Sequence, residues 1–134
     1  MLLALGITSS AGAQAARARI DAKKWTLAWS DEFDGAAGRG VDTANWRIDT
    51  ADGCASGNCG WGNNEKEYYS SSRRNLALDG RGHLMIVARR APANLGCYYG
   101  PCRYTSAKLT TRGKMSAAPG RVEARIKLPT GQGL

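Results

Sequence analysis

The chain has 134 residues, a length that a single hydrophobic core accounts for, and its 43% hydrophobic content is that of an ordinary globular protein. Nineteen basic residues against eleven acidic ones leave a formal charge of +8. These charges are scattered as Arg73-Arg74, Arg89-Arg90, Arg121, Arg125 and Lys127, with no helix-turn-helix, zinc-finger or RNA-binding signature, so they read as a solvated surface and no nucleic-acid partner is expected.

Met1 to Ser10 is uncharged and apolar to small, and Ala11-Gly-Ala13 or Ala13-Gln-Ala15 follows it. Residues 1–15 are therefore expected to be a signal peptide, although the segment lacks a basic start and leaves room for an earlier one. It is too short to span a bilayer. A secreted or periplasmic protein without membrane association is the expectation, its folded part running over 22–134.

Trp25-Thr-Leu-Ala-Trp29 alternates large and small side chains and predicts a strand with Trp25, Leu27 and Trp29 inward. Ser30 to Gly35 ends it in a turn, and Trp46 anchors the short Asp42–Trp46 segment. Residues 49–64 read as loop. Gly60-Trp-Gly-Asn-Asn-Glu-Lys-Glu-Tyr-Tyr69 combines glycines that allow a sharp turn with an aromatic ring and two amides, then begins to alternate. That combination suits a flat, hydroxyl-rich ligand such as a sugar, and equally a glycine-rich loop packed by its own tryptophan. Asp79-Gly-Arg-Gly82 predicts a hairpin between Asn75–Leu78 and His83–Ala88. Tyr104–Thr111 and Gly120–Pro129 follow as strands, the latter with Val122, Ala124, Ile126 and Leu128 on one face. No stretch keeps a 3.6-residue period, so an all-β sandwich or barrel is expected.

Cys54-x4-Cys59 and Cys97-x4-Cys102 form two close pairs in loops. Four cysteines allow three connectivities. Local disulfides Cys54–Cys59 and Cys97–Cys102 are expected in an exported protein, the alternative being a four-thiolate zinc site. Nucleophilic triads fail, since His83 is the sole histidine and no G-x-S-x-G elbow accompanies it. Thr111-Arg-Gly-Lys-Met lacks the residues of a phosphate loop. Glu65 and Glu67 sit two apart on one strand face, about 7 Å from each other by strand rise, and read first as a solvated pair.

Trp29-Ser-Asp-Glu-Phe-Asp-Gly35, Gly60-Trp-Gly-Asn-Asn-Glu-x-x-Tyr-Tyr69, Asp79-Gly-x-Gly-His-Leu84, Tyr104-Thr-Ser-Ala-Lys-Leu109, Gly113-Lys and Gly120-Arg-Val-Glu-Ala-Arg-Ile-Lys-Leu-Pro-x-Gly-Gln-Gly-Leu134 occur in this order. Together they resemble the N-terminal half of a glycoside hydrolase family 16 enzyme, closest to the laminarinase-like endo-1,3-β-glucanases. The resemblance implies an antiparallel, concanavalin A-like β-jelly-roll sandwich, incomplete here, that holds glucan on its concave face. It implies a retaining hydrolase of β-1,3-glucan, monomeric when full length and needing no cofactor for catalysis. The same fold also serves non-catalytic β-glucan-binding proteins, which is the alternative.

The family's catalytic Glu-x-Asp-x-x-Glu is absent from this chain. Glu32-Phe-Asp34 imitates its first three positions, but Ala37 stands where the second glutamate belongs. The chain is thus expected to lie upstream of the catalytic strand and, alone, to cleave nothing. It is also expected not to fold cooperatively alone, with Val122, Ile126 and Leu128 facing water. The resemblance carries substrate contacts to Asn63, with Trp61 beside it, and to Arg73, with Arg74 as the competing register. Glu32 and the Gly82 carbonyl match two ligands of a structural calcium.

Overall fold

The computed structural model describes residues 26–116 and 119–131; the expected signal peptide 1–15 and Trp25 lie outside them. Nine short strands and two 3₁₀ turns make up the regular structure of the described residues. In chain order these are β1 (Arg47–Asp49), the turns Cys54–Ser56 and Cys59–Gly62, β2 (Glu67–Tyr69), β3 (Leu76–Leu78), β4 (Leu84–Ile86), β5 (Arg89–Arg90), β6 (Gly96–Cys97), β7 (Gly100–Pro101), β8 (Tyr104–Ser106) and β9 (Lys108–Thr110). The all-β class read from the sequence is the class observed.

Pairing is antiparallel in β1–β9, β3–β4, β5–β8 and β6–β7. The β2–β8 ladder departs from this, aligning Glu67 with Tyr104 and Tyr69 with Ser106 in parallel. Parallel neighbours require a long crossover, and the chain between Tyr69 and Tyr104 supplies one that contains β3 to β7. β8 sits between β2 and β5 and so joins the two halves of that crossover.

The core gathers where β3 passes under this arrangement. Leu76 is fully buried and packs with Val41 and Ala107, flanked by Phe33, Trp46, Ile48, Leu84 and Leu109. Trp46 anchors the segment before β1 as expected. Its ring stacks on Phe33 at 6.0 Å and meets Trp29 edge-on at 5.7 Å, while its indole N–H donates to Asp31 at 2.6 Å. Beside this core Asn75 is buried at 3% exposure, its amide donating to the Val87 carbonyl and the Thr105 hydroxyl and accepting from the Ser70 hydroxyl.

The β3–β4 hairpin forms where the Asp79-Gly-Arg-Gly82 turn predicted it. Asp79 accepts the N–H groups of Arg81 and His83 at 2.7 and 3.1 Å and bonds the His83 ring at 2.8 Å. Desolvation pushes the Asp79 carboxyl up, but the Arg81 amide and the ring and amide of His83 outweigh it, and the net shift is downward. His83 therefore closes the turn and precedes β4 rather than sitting within a strand.

Two expected strands are not strands here. Thr26 to Trp29 pairs with nothing among the described residues, and Leu27 is 78% exposed instead of inward. Gly120 to Pro129 likewise has no ladder, with Val122 at 84%, Ile126 at 70% and Leu128 at 73% exposure. Alternation states which face wants cover, but a strand exists only where a neighbour takes up its backbone hydrogen bonds. The expectation that these three apolar side chains face water within this chain is met.

Candidate functional site

The turn from Gly60 to Tyr69 holds several residues in left-handed backbone. Gly60 and Trp61 are both left-handed, with φ of 60° and 53°, and Asn64 follows at 55°. A bulky residue such as Trp61 adopts positive φ only where its surroundings dictate it. Those surroundings are identifiable. Gly60 N–H donates to the Asp52 carbonyl at 2.8 Å, and its own carbonyl accepts from Asn63 and Glu65 at 3.0 and 3.1 Å. Trp61 N–H donates to the Asn58 carbonyl at 2.9 Å, and its indole N–H to the Ala51 carbonyl at 3.3 Å. Gly53 packs beneath that ring, where a Cβ would fall 3.2 Å from it.

Over Trp61 stands Lys108 of β9, its ammonium 4.4 Å from the ring centre and 5.3 Å from that of Tyr69. The same ammonium lies 3.5 Å from a Glu65 oxygen that has no hydrogen-bond partner. At that distance the contact is an ion pair without a well-formed hydrogen bond, and Glu65 keeps accepting capacity. Burial first, then the hydrogen-bonded charge of Glu65 and the charge of Glu67, push the Tyr69 hydroxyl well above the usual tyrosine range. Glu65, Lys108, Tyr69 and Trp61 thus form one cluster. Glu65 is not free to pair with Glu67 as a catalytic couple.

The predicted sugar contacts fall into two places. Asn63 is exposed in the turn beside half-buried Trp61, with its backbone N–H donating to the Gly60 carbonyl. Arg73 lies against Gly40 instead, so closely that its guanidinium leaves no room for a Cβ there. It lines a depression with Gly38, Arg39, Gly40 and Val41. Arg74, the competing register, gives its carbonyl to Arg89 at 2.7 Å.

Glu32 and Gly82 do come together. A Cβ on Gly82 would lie 3.4 Å from the Glu32 carbonyl oxygen and 3.5 Å from Asp34 Oδ1. Carbonyls and a carboxylate are the hard oxygen donors that calcium takes, so the residues fit the ion in type. Among the described residues no group of three His, Cys, Asp or Glu side chains could hold a metal. Asp34, which the sequence offers together with Glu32 as a calcium ligand, a turn former or a surface charge, lies at the same place.

The cysteines pair locally, Cys54–Cys59 and Cys97–Cys102, and no cysteine is free. The zinc alternative is thereby closed. Sequence reasoning missed Lys108, Asp52, Tyr98 and Tyr99, all of which touch the turn. The signal available was two adjacent aromatics inside a ring of six residues closed by a disulfide, where they have no room to bury themselves locally.

The scaffold is all-β and presents Trp61 and Asn63 on a turn with left-handed backbone, and proteins of known structure share it. A β-glucanase of Rhodothermus marinus is 43% identical over 113 residues, covering 84% of this chain and 34% of that protein. The solved endo-β-1,3-glucanase of Pyrococcus furiosus is 36% identical with a TM-score of 0.59, over 71% of this chain and 34% of that one. The laminarinase catalytic domain of Thermotoga maritima is 40% identical with a TM-score of 0.57, over 68% and 33%. No family model matches the sequence. The chain spans about a third of the length of these proteins. Over the length it spans, the chain is a homologue of the laminarinases, the endo-1,3-β-glucanase branch of glycoside hydrolase family 16.

Proposed function

We propose that the protein containing this chain hydrolyses β-1,3-glucan with retention of configuration, and that this chain supplies sugar-binding surface rather than the catalytic carboxylates. The observation that carries the reading is the 36–43% identity to β-1,3-glucanases and a β-glucanase over 68–84% of this chain. Retention requires two carboxyl groups about 5–5.5 Å apart, one attacking the anomeric carbon and the other working as acid and then base. Glu65 is engaged by Lys108 and Tyr69, and Glu32 packs by its backbone carbonyl against Gly82, so neither is proposed as a catalytic carboxylate. Asn63 is the proposed hydrogen-bonding contact to a glucose hydroxyl. Trp61 shapes the wall beside it and takes a sugar ring on its Lys108 face only by displacing that ammonium. Arg73 serves a separate stretch of the glucan.

Calcium held by Glu32, the Gly82 carbonyl and Asp34 would stiffen the segment before the core without entering the chemistry. The two disulfides support an oxidising compartment, hence a secreted or periplasmic protein, and the molecule is proposed to act as a monomer.

A second reading takes the exposed Asn63 beside Trp61 as a binding surface and no more. It makes the protein a β-glucan-binding lectin. The complete protein should be assayed for reducing ends released from laminarin and for retention on insoluble β-1,3-glucan. Release supports the hydrolase, retention without release supports the lectin, and neither refutes both.

A further inference from the structure

The tyrosines of the second disulfide loop stand at both ends of the strained turn. Tyr98 covers its start: a Cβ on Gly60 would lie 2.9 Å from the Tyr98 hydroxyl oxygen and 3.0 Å from the ring. Tyr99 ties its end, donating from its hydroxyl to the Lys66 carbonyl at 2.7 Å and accepting from the Arg103 N–H at 2.9 Å. The two rings meet edge-on at 5.0 Å, and the Lys66 ammonium lies 5.4 and 4.7 Å from their centres.

This pair is itself anchored from below. Tyr98 N–H donates to Asp52 Oδ2 at 2.7 Å, while Asp52 Oδ1 accepts from Cys54 N–H at 3.2 Å and the Asp52 carbonyl accepts from Gly60. Asp52 therefore joins the Cys54–Cys59 ring to the Cys97–Cys102 ring. The β6–β7 hairpin and its disulfide hold Tyr98 and Tyr99 side by side. The Tyr99 hydroxyl is spent on main-chain groups, so it is not a sugar ligand. Its partner is the far end of the turn that contains Asn63.

We propose that Tyr98 and Tyr99 are positioning residues that clamp the Gly60–Lys66 turn and so hold Asn63 in the geometry that binds glucan. The clamp acts through Asn63, and this inference rests on the glucan reading above. Left-handed backbone at Trp61 and Asn64 persists only while its surroundings enforce it. Releasing the Lys66 end lets the turn relax and costs affinity rather than turnover.

The test uses the complete protein. Tyr99→Phe removes one hydroxyl and both of its hydrogen bonds while keeping the ring. Its KM for laminarin should rise about two- to tenfold with kcat nearly unchanged, the size of one lost hydrogen bond. In the double variant with Asn63→Ala, Tyr99→Phe should add little further loss, because the first substitution has removed what the clamp positions. Tyr98→Leu, which takes the ring off Gly60, should act in the same direction and serves if Tyr99→Phe folds poorly. An unchanged KM, or losses that multiply in the double variant, overturns the proposal. Should the wild-type protein neither bind nor cleave laminarin, the glucan reading fails separately. Amide hydrogen exchange at Asn63 and Glu65 then decides the clamp: faster exchange in Tyr99→Phe supports it and unchanged exchange overturns it.

Discussion

Asn75 is the buried polar group on which the packing of three segments depends, and truncating it should reveal how much. Its side-chain amide donates to the Val87 carbonyl at 2.8 Å and the Thr105 hydroxyl at 3.2 Å, and its oxygen accepts from Ser70 at 2.8 Å. The Val87 carbonyl can only accept, which fixes the orientation of the amide. Three such bonds at about 0.5–1.5 kcal/mol each place the cost of Asn75→Ala in the complete protein at roughly 2–4 kcal/mol. For a domain of 150–250 residues each kcal/mol moves Tm by about 2–4 °C, so a fall of roughly 5–15 °C is expected. Asn75→Asp sharpens the argument. An ionised carboxylate would face the Val87 carbonyl, which disfavours the charged form and raises the folded-state pKa above about 3.9. The stability tied to that raised pKa is fully present below the unfolded value and is lost as pH rises through the folded one. The Asp variant should therefore trail wild type more at pH 7 than at pH 4. Urea melts of both variants at the two pH values decide the matter. An Ala variant as stable as wild type, or an Asp deficit independent of pH, would refute the reasoning.

Leu76→Ala empties the one fully buried large side chain among the described residues and should cost about 2–5 kcal/mol in a denaturant melt. Asn63→Ala should lower kcat/KM on laminarin by roughly two- to tenfold, one hydrogen bond to a neutral ligand, with an unaltered melting curve. The raised Tyr69 pKa means its contribution to stability is intact below about pH 10, the unfolded value, and declines above it. Tyr69→Phe should flatten the alkaline limb of a stability–pH profile, and an unchanged limb would show that the hydroxyl is not held neutral.

What the sequence disclosed was local chemistry. The Asp79-Gly-Arg-Gly82 turn and the two cysteine pairs each depend on residues within a few positions of one another and appear as read, and Trp46 is the expected anchor on partners further off, at Trp29, Asp31 and Phe33. Partnership across the chain was not legible. Trp25–Trp29 and Gly120–Pro129 carry clear alternation, yet alternation names a face without naming the strand that must lie beside it. The parallel β2–β8 ladder and the meeting of Lys108 with Trp61 depend on segments about forty residues apart, which no local pattern encodes. In the sequence Asn75 reads only as the first residue of the Asn75–Leu78 strand, since burial is what distinguishes it, and burial is a tertiary property. At the site, Asn63 and Trp61 were visible as a glycine-bracketed motif. The tyrosines that clamp them were not, because their partners are main-chain groups of a distant loop.

The central claim is retaining hydrolysis of β-1,3-glucan by the complete protein, and proton NMR of the first product formed from laminarin tests it most directly. Double displacement delivers the new reducing end as the β-anomer, with the α-anomer appearing only as mutarotation proceeds. Early α-anomer, or no new reducing end while laminarin is bound, would contradict the account.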